Sequence, residues 1–501
     1  MNPSRRHFLG SACCAAVGAT GILSTLSSLR LMAAAANPAN GPQAPRTASA
    51  LPADYKALVC LFLNGGNDAN NLIIPTGSDY AAYASARSNL ALPRTDLLPL
   101  TPRTADGRTW ALHAAVPDLH SLFASGQAAL LANVGTLVEP TSKSKYTAGT
   151  VKLPPQLFSH NDQQVQWQHS VPDKPSSTGW GGRIADLVNA FNANNEISMS
   201  ISLAGKNTFQ IGNTVSQYAI NTGGATTLSG STERGSANAA RFAAQRDLFK
   251  QVQPGLLEAA FAGVSSDAIV SADLLNTVLA ASPAITTPFP TQANNTNLTT
   301  AAAQLRMVAR LIAASPTLGL KRQVFFVQLG GWDTHAAQLV NATPTSGTHA
   351  DLLKQTSEAV KAFYNATVEL GVANQVTLFS ASDFGRTYRS NGDGSDHGWG
   401  NHQFIVGGAV RGTEIYGRMP TLTVNGPDDT GQGRWIPTTS VDEYAATLAT
   451  WFGVSASDLP TVLPNIDRFA KPNLGFLEGA MSDYSSAATN MFVENERGFR
   501  S

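Results

Sequence analysis

The sequence contains very little cysteine: three residues in 501, of which Cys13 and Cys14 lie near the N-terminus. The third, Cys60, stands inside the apolar run 57–63. A single thiol cannot form an intrachain disulfide, nor can it build a zinc site of several cysteines. We interpret Cys60 as a buried strand residue, so the stability of the chain must come from its core and from any bound metal.

Charge of either sign is also scarce, since charged residues make up 14% of the chain and 34 basic residues balance 34 acidic ones. Beyond the N-terminus there is no cluster of Lys and Arg. A nucleic-acid binder or a membrane-surface binder needs a basic face, so the charge balance argues against both classes. With 43% hydrophobic residues, the chain has enough apolar material for a substantial core.

A further missing pattern is the GxGxxG unit between a strand and a helix that binds dinucleotides. The first glycine-containing loop, 64–68, is too polar and too poor in glycine to serve as one. This absence argues against a nucleotide-dependent oxidoreductase.

The N-terminus has the features of an export signal. Ser4-Arg-Arg-His-Phe-Leu-Gly10 contains the paired arginines of a twin-arginine signal, and a mildly apolar stretch follows it. Small residues at 33–36 suit cleavage, so we assign 1–36 to the signal and 37–52 to a Pro- and Ala-rich linker. We expect a periplasmic or extracellular protein, exported folded, with no stable membrane anchor after cleavage.

The remainder, 53–501, is predicted to be a single α/β domain. Short apolar runs that end in glycine or polar residues alternate with stretches of helical periodicity, notably 301–314 and 351–370. This alternation predicts a mostly parallel sheet covered by helices on both faces. The predicted strands are 57–63, 128–135, 324–329, 376–380 and 403–407.

Residues 202–299 differ in composition from the rest of the domain. Asn, Thr, Ser, Gly and Ala dominate there, and only 239–262 has a clear helical pattern. We interpret this region as an insertion or cap over the sheet.

Aspartate and histidine follow several of the predicted strands. Ligands of open α/β sheets gather at the carboxyl ends of strands, where these side chains are expected to converge. Mixed carboxylate and imidazole groups suit a divalent ion such as zinc, manganese or calcium. The alternative for each residue alone is a helix cap or turn. The candidate ligands are Asp68, Asp333, His335, Asp383, Asp396, His397 and His402.

Five motifs carry a resemblance to a known family. They are 65–71 (GGNDANN), 159–162 (SHND), 330–335 (GGWDTH), 382–387 (SDFGRT) and 396–398 (DHG). In order and spacing they resemble the exported, sulfatase-like family called domain of unknown function 1501, from about Ala57 to Phe476. That family is in turn similar in fold to the alkaline phosphatase superfamily, which implies an alkaline-phosphatase-like sheet here.

The resemblance implies roles for single residues. Asp68 would be a ligand shared between metals, and Asp333 with His335 would form the ligand pair of one metal. Asp383 would stand where the superfamily has an Asp-His pair, but Phe384 occupies the histidine position. That departure removes one expected ligand unless Asp396, His397 or His402 replaces it.

Two further residues are candidates for catalysis. Ser159, at a predicted helix start, would be the nucleophile that the superfamily requires, and the alternative is that it only caps the helix. Ser142 and Ser144 are nearby alternatives. Arg386 could bind an oxyanion through its guanidinium fork, and the alternative is a structural salt bridge.

These observations predict an exported metal-dependent hydrolase of phosphate or sulfate esters, acting on a small-molecule or polymer substrate. The alternative is a catalytically degenerate envelope or export-associated protein that uses the same fold for binding, with a protein partner. The altered position at Phe384 and the uncertain nucleophile favour the alternative.

Overall fold

A computed structural model describes residues 51, 53–193, 196–251, 255–293, 295–341 and 343–479. The predicted signal, 1–36, and all but one residue of the predicted linker, 37–52, lie outside the described residues.

Fourteen strands occur in the described part of the chain. They are β1 (Lys56–Leu63), β2 (Ile73–Pro75), β3 (Leu98–Pro99), β4 (Trp110–Leu112), β5 (Ala128–Gly135), β6 (Ser200–Ser202), β7 (Tyr218–Ala219), β8 (Arg322–Leu329), β9 (Val376–Ser382), β10 (Arg386–Ser390), β11 (Ser395–His397), β12 (Asn401–Val406), β13 (Ile415–Tyr416) and β14 (Thr439–Ser440).

Eleven α-helices lie within the same ranges. They are α1 (Tyr80–Arg87), α2 (Pro117–Ala124), α3 (Lys143–Ala148), α4 (His160–His169), α5 (Trp180–Val188), α6 (Ala237–Lys250), α7 (Leu256–Ala281), α8 (Thr300–Leu318), α9 (Thr348–Glu369), α10 (Val441–Phe452) and α11 (Leu459–Val462).

The main sheet has the strand order β13-β5-β12-β9-β1-β8-β6-β7, with β14 paired to β5. Every pairing in it is parallel except the two made by β12. At the centre, Leu63 of β1 is in register with Leu329 of β8 and Ser382 of β9. Three strands therefore end at the same level, and the loops that follow them meet at one edge. The predicted mostly parallel sheet is confirmed.

Strand β1 shows why both faces of the sheet must be covered. Alternate residues of a strand point to opposite faces, and all seven residues from Ala57 to Leu63, including Cys60, are buried. Such continuous apolar runs are typical of parallel strands packed between two helical layers. Helices α10 and α8 contact β1 and β8 respectively. Helices cover both faces, as the sequence predicted.

Strand β12 is antiparallel to its neighbours, and this direction explains how the motif 396–398 reaches the same edge. Since it is antiparallel to β5 and β9, it begins where they end. The hairpin β10–β11, which precedes it, pairs Arg386 with His397. The hairpin is thereby held beside the loops after β1, β8 and β9.

The region 202–299 contains more helix than its sequence indicated. The helical pattern predicted over 239–262 is two helices, α6 and α7, and α7 continues to Ala281. Gly255 is the N-cap residue of α7, which agrees with the break that Pro254 and Gly255 introduce into the sequence. The same region also supplies β7 to the edge of the main sheet.

Helix α7 is long and apolar enough to cross a membrane by length and composition alone, and a third of its most apolar stretch is buried. It packs on α6 and α8. Leu256, Leu257 and Phe261 near its start remain exposed.

Candidate metal centre

Four side chains from three parts of the chain meet at the carboxyl edge of the sheet. Asp333 and His335 lie in the loop after β8, His397 ends β11, and His160 is the first residue of α4. We call these four residues the Asp333 cluster. The loop after β8 brings Asp333 and His335 to this edge. The antiparallel β12 begins there, so the strand β11 before it places His397 at the same edge, and α4 brings His160 from another part of the chain.

Asp333 lies at the centre of this cluster. Its Oδ1 atom is 3.3 Å from His160 Nε2, 3.2 Å from His335 Nε2 and 3.3 Å from His397 Nε2. The Nε2 atoms of His335 and His397 are 2.8 Å apart. One carboxylate oxygen therefore faces three imidazole nitrogens.

The other ring nitrogen of each histidine has a partner of its own. His160 Nδ1 is 2.7 Å from Asp383 Oδ2, His335 Nδ1 is 3.1 Å from Asp396 Oδ1, and His397 Nδ1 is 2.6 Å from the carbonyl oxygen of Phe158. Because a carboxylate or carbonyl can only accept, a neutral histidine so paired carries its proton on Nδ1. The lone pair of Nε2 is then directed into the cluster, as in histidines that bind metals.

Charge and burial set the protonation of the cluster. Burial would raise the pKa of Asp333, but the hydrogen bond and charge of Arg386 outweigh it and lower that pKa. Burial lowers the pKa of His397, and the hydrogen bond to Asp383 raises that of His160. At neutral pH Asp333 is therefore ionised and His397 is neutral, which are the forms that bind a metal ion.

The donor set fits a divalent ion. One ligand atom each from His160, Asp333 and His397 lies within 4.8 Å of the other two, and His160 Nε2 is buried without a hydrogen bond. Neighbouring ligands in a tetrahedron around an ion bonded at about 2.0–2.1 Å stand about 3.3 Å apart, the spacing measured from both histidines to Asp333 Oδ1. His335 Nε2 lies 3.2 Å from the same oxygen but does not belong to this group of three ligand atoms. Imidazole-rich sets favour zinc over calcium, which prefers oxygen.

Gly65 brings the loop after β1 against the cluster. Its backbone has φ +121°, and an added Cβ would lie 2.5 Å from the backbone nitrogen of Asp333. Its N–H donates to Asp383 Oδ1 at 3.1 Å, and its carbonyl accepts from Arg386 Nη1 at 3.3 Å. Only glycine tolerates both the conformation and the close approach.

Asp383 contacts the cluster through His160 alone. Besides Gly65 and His160, it accepts a hydrogen bond from Gln164 Nε2 at 2.7 Å, so both of its oxygens are engaged. Asp396 likewise accepts from Asn391 at 3.0 Å and contacts His335. The structure places these two carboxylates behind the imidazoles, where they orient the rings, whereas the sequence predicted that they bind metal directly.

Asp68 lies apart from the cluster. Its side chain is completely buried and forms an ion pair with Arg87, and it accepts hydrogen bonds from Gln338 at 2.6 Å and Asn70 at 3.2 Å. Burial opposes its ionisation, but the Arg87 charge, with a smaller contribution from His349, lowers its pKa. This placement differs from the predicted shared metal ligand, because protein donors already occupy the carboxylate.

His402 is also placed elsewhere. It lies within β12, at a register shift opposite β5, and its Nδ1 accepts from the backbone N–H of Asn133 at 3.0 Å. Burial lowers its pKa to about 4, so the ring is neutral. The structure therefore gives this predicted ligand a role in strand pairing.

The two residues predicted to act in catalysis have different surroundings. Ser159 is the N-cap residue of α4, but its hydroxyl makes no capping hydrogen bond and donates instead to Asp162 Oδ2 at 2.6 Å. Arg386 is completely buried, donating to Asp333 Oδ1 at 2.7 Å and to the carbonyl of Ser395. These contacts match the salt-bridge alternative for Arg386 and leave no exposed face for an oxyanion.

Sequence reasoning missed His160 and Arg87. The motif 159–162 contains His160, and its position at a helix start was the available signal, but only Ser159 was taken from it. Arg87 belongs to no motif, and only the packing of α1 shows that it neutralises Asp68.

A mostly parallel sheet with imidazoles and a carboxylate gathered at its carboxyl edge defines an α/β protein with a candidate metal centre. The chain matches the family model described as "Protein of unknown function (DUF1501)" over residues 55–432, about three quarters of its length. The chain therefore belongs to this family, and the family predicted from the sequence motifs is confirmed. No curated protein matches the sequence.

Among solved structures, the chain is similar to Ps i-CgsB, with 11% identity, coverage of 83% of this chain and 77% of that one, and a TM-score of 0.35. It is similar to the lipoteichoic acid synthase LtaP from Listeria monocytogenes, with 6% identity, 84% and 78% coverage and a TM-score of 0.33. It is also similar to the PsFucS1 sulfatase from Pseudoalteromonas sp., with 10% identity, 81% and 69% coverage and a TM-score of 0.33.

Proposed function

We propose that this protein is a metal-dependent hydrolase of phosphate or sulfate esters that acts outside the cytoplasm. The observation that carries the proposal is the Asp333 cluster, in which His160, Asp333 and His397 offer three ligand atoms at metal-binding spacing. A catalytic metal site keeps a coordination position for water or substrate, and a three-ligand set leaves one.

The protein groups around the cluster would hold the ion in a defined geometry. Asp383, Asp396 and the Phe158 carbonyl each fix the ring of one histidine. Such outer partners orient the ligand rings and raise their basicity. A divalent ion bound there would polarise the ester oxygen and stabilise the charge that develops on it.

Ser159 is the candidate nucleophile beside this centre. It immediately precedes the ligand His160, and its hydroxyl hydrogen already lies on a hydrogen bond to Asp162. Asp162 is thereby placed to accept that proton, and the N-terminus of α4 favours negative charge on the serine oxygen. A small-molecule or polymer ester is the substrate class that this arrangement would serve.

The test is metal analysis and ester hydrolysis on protein purified without chelator. We expect bound zinc or manganese, and hydrolysis of p-nitrophenyl phosphate or sulfate that a chelator abolishes. Asp333→Asn keeps the shape of the side chain but removes its charge, and should lose both properties. Asp106→Asn is the matched control, because Asp106 is exposed and contacts Arg108.

Two results would count against the proposal. Protein that takes up no divalent metal and hydrolyses neither ester would overturn it. Metal binding that depends on Asp333 without any hydrolysis would instead favour the binding-protein alternative, in which the centre serves recognition of a partner.

A further inference from the structure

Phe158 has an unusual backbone conformation next to the cluster. Its φ is +73°, in the left-handed region that a bulky side chain rarely adopts. The carbonyl of this residue accepts the hydrogen bond from His397 Nδ1. Strained residues of this kind persist where the surrounding structure holds them, often at functional sites.

Arg434 contacts both partners of that hydrogen bond. Its Nε donates to the backbone carbonyl of His397 at 2.8 Å, and its guanidinium lies over the ring of Phe158, 5.1 Å from the centroid. A cation over an aromatic face is attracted by the electron-rich face of the ring, and more strongly where it is desolvated. One side chain therefore ties Phe158 to His397.

The loop that carries Arg434 is itself firmly held. The buried Asp429 accepts hydrogen bonds from the backbone N–H groups of Gly431 at 2.7 Å, Gly433 at 2.9 Å and Asn425 at 2.7 Å. Gly433 has φ +76°, and an added Cβ would lie 2.2 Å from the Cβ of Tyr388. The position of Arg434 is thus set by close backbone packing.

Arg434 forms no ion pair with any acidic side chain in the described part of the chain. Neutralisation of a carboxylate therefore does not account for the position of this arginine. Its position is instead accounted for by its contacts with Phe158 and His397.

We propose that Arg434 is a positioning residue for His397. By holding the Phe158 carbonyl against Nδ1, it keeps the proton on that nitrogen and directs the Nε2 lone pair toward Asp333. The proposal rests on the proposed function in that His397 is taken to be a metal ligand. The proton position on His397, however, can be measured without any metal.

The experiment compares Arg434→Gln, Arg434→Lys and the wild type. NMR of ¹⁵N-histidine-labelled, metal-free protein identifies the protonated nitrogen of His397, assigned by comparison with His397→Gln. We expect Nδ1–H in the wild type and a mixture of tautomers in Arg434→Gln. Calorimetric titration with zinc should show affinity reduced by about tenfold in Arg434→Gln, as for other outer partners of metal ligands. Arg434→Lys keeps the charge but not the Nε donor, and should fall between the two.

Arg389→Gln is the matched control. It removes the same charge from strand β10, where Arg389 is exposed and its backbone bonds to Gln432 and Thr387. Both readouts should stay at their wild-type values. Unfolding by urea shows whether each variant is folded.

Unchanged tautomer and unchanged zinc affinity in Arg434→Gln would overturn the proposal. Loss of both in Arg389→Gln would also overturn it, because the effect would then be one of general charge. If the wild type takes up no divalent metal and hydrolyses neither ester, the proposed function fails, and the tautomer of His397 still tests the role of Arg434.

Discussion

Two aspartates at the ends of adjacent parallel strands have opposite surroundings. Asp68, after β1, is completely buried and paired with Arg87. Asp333, after β8, is 46% exposed and faces three histidines. The same residue type at the same edge is thus buried in one case and accessible to ligands in the other. We call the surroundings of Asp68 and Arg87 the closed region and the Asp333 cluster the open region. What differs is the neighbour: a fixed cation in the first region, and imidazoles that offer lone pairs in the second.

The largest expected effect comes from removing the counterion of Asp68 in the closed region. Arg87→Met removes the partner of a fully buried carboxylate and should lower the free energy of unfolding by about 3–5 kcal/mol. Urea denaturation measures this change. The double variant Arg87→Met with Asp68→Asn should recover part of the loss, since no unpaired charge remains. Equal instability of the single and double variants would show that the charge is not the cause.

A pair of histidines close in sequence sharpens the comparison further. His397→Ala should weaken zinc binding by more than about 100-fold, since even outer partners of ligands contribute 10–100-fold. His402→Ala should leave zinc binding intact and lower the free energy of unfolding by about 1–3 kcal/mol, because the N–H of Asn133 loses its acceptor. Titration calorimetry and urea denaturation of both variants separate the two roles. Loss of zinc binding in His402→Ala would restore the sequence-based prediction for that residue.

The smallest effect concerns pH and belongs to the closed region. Burial lowers the pKa of His349, near Asp68, to about 3, from an ordinary value of 6.5. Between these values the unfolded chain binds a proton at this histidine that the folded protein does not. The contribution of His349 to the free energy of unfolding is therefore fully present above pH 6.5 and is lost progressively as the pH falls below that value. This histidine should contribute a loss of about 1.4 kcal/mol per pH unit below 6.5.

Urea denaturation between pH 7 and pH 5 tests this prediction. In His349→Gln the dependence of unfolding free energy on pH should be shallower by that amount. An unchanged slope would mean that the imidazole is protonated in the folded state.

The open region was largely predictable from the sequence. Asp333 and His335 follow the parallel strand β8, so their place at its carboxyl edge could be expected from the sequence. His397 reaches the same edge because β12, which it precedes, is antiparallel to its neighbours. His160 was harder to predict because its helix reaches the edge from another part of the chain. The roles of Asp383 and Asp396 behind the rings depend on distances that no spacing in sequence determines.

The closed region could not be predicted in the same way. The pairing of Asp68 with Arg87 depends on how α1 packs, and nothing in the pattern around Arg87 marks it as a counterion. His402 lies in the one strand of the main sheet that pairs antiparallel to its described neighbours, and its contact with Asn133 depends on a local register shift. In the region 202–299 the helical periodicity over 239–262 was visible, but the continuation of α7 to Ala281 was not.

The β10–β11 hairpin has a consequence for how the centre can change. Its two ends carry Arg386, which anchors Asp333, and His397, which faces it, and these two residues pair directly across the ribbon. Residues 391–394 join the strands at the far end and are largely exposed. New loops could therefore be grafted at that tip, to alter what the protein recognises, provided that Asn391 is kept, because it donates to Asp396 and to the carbonyl of His335.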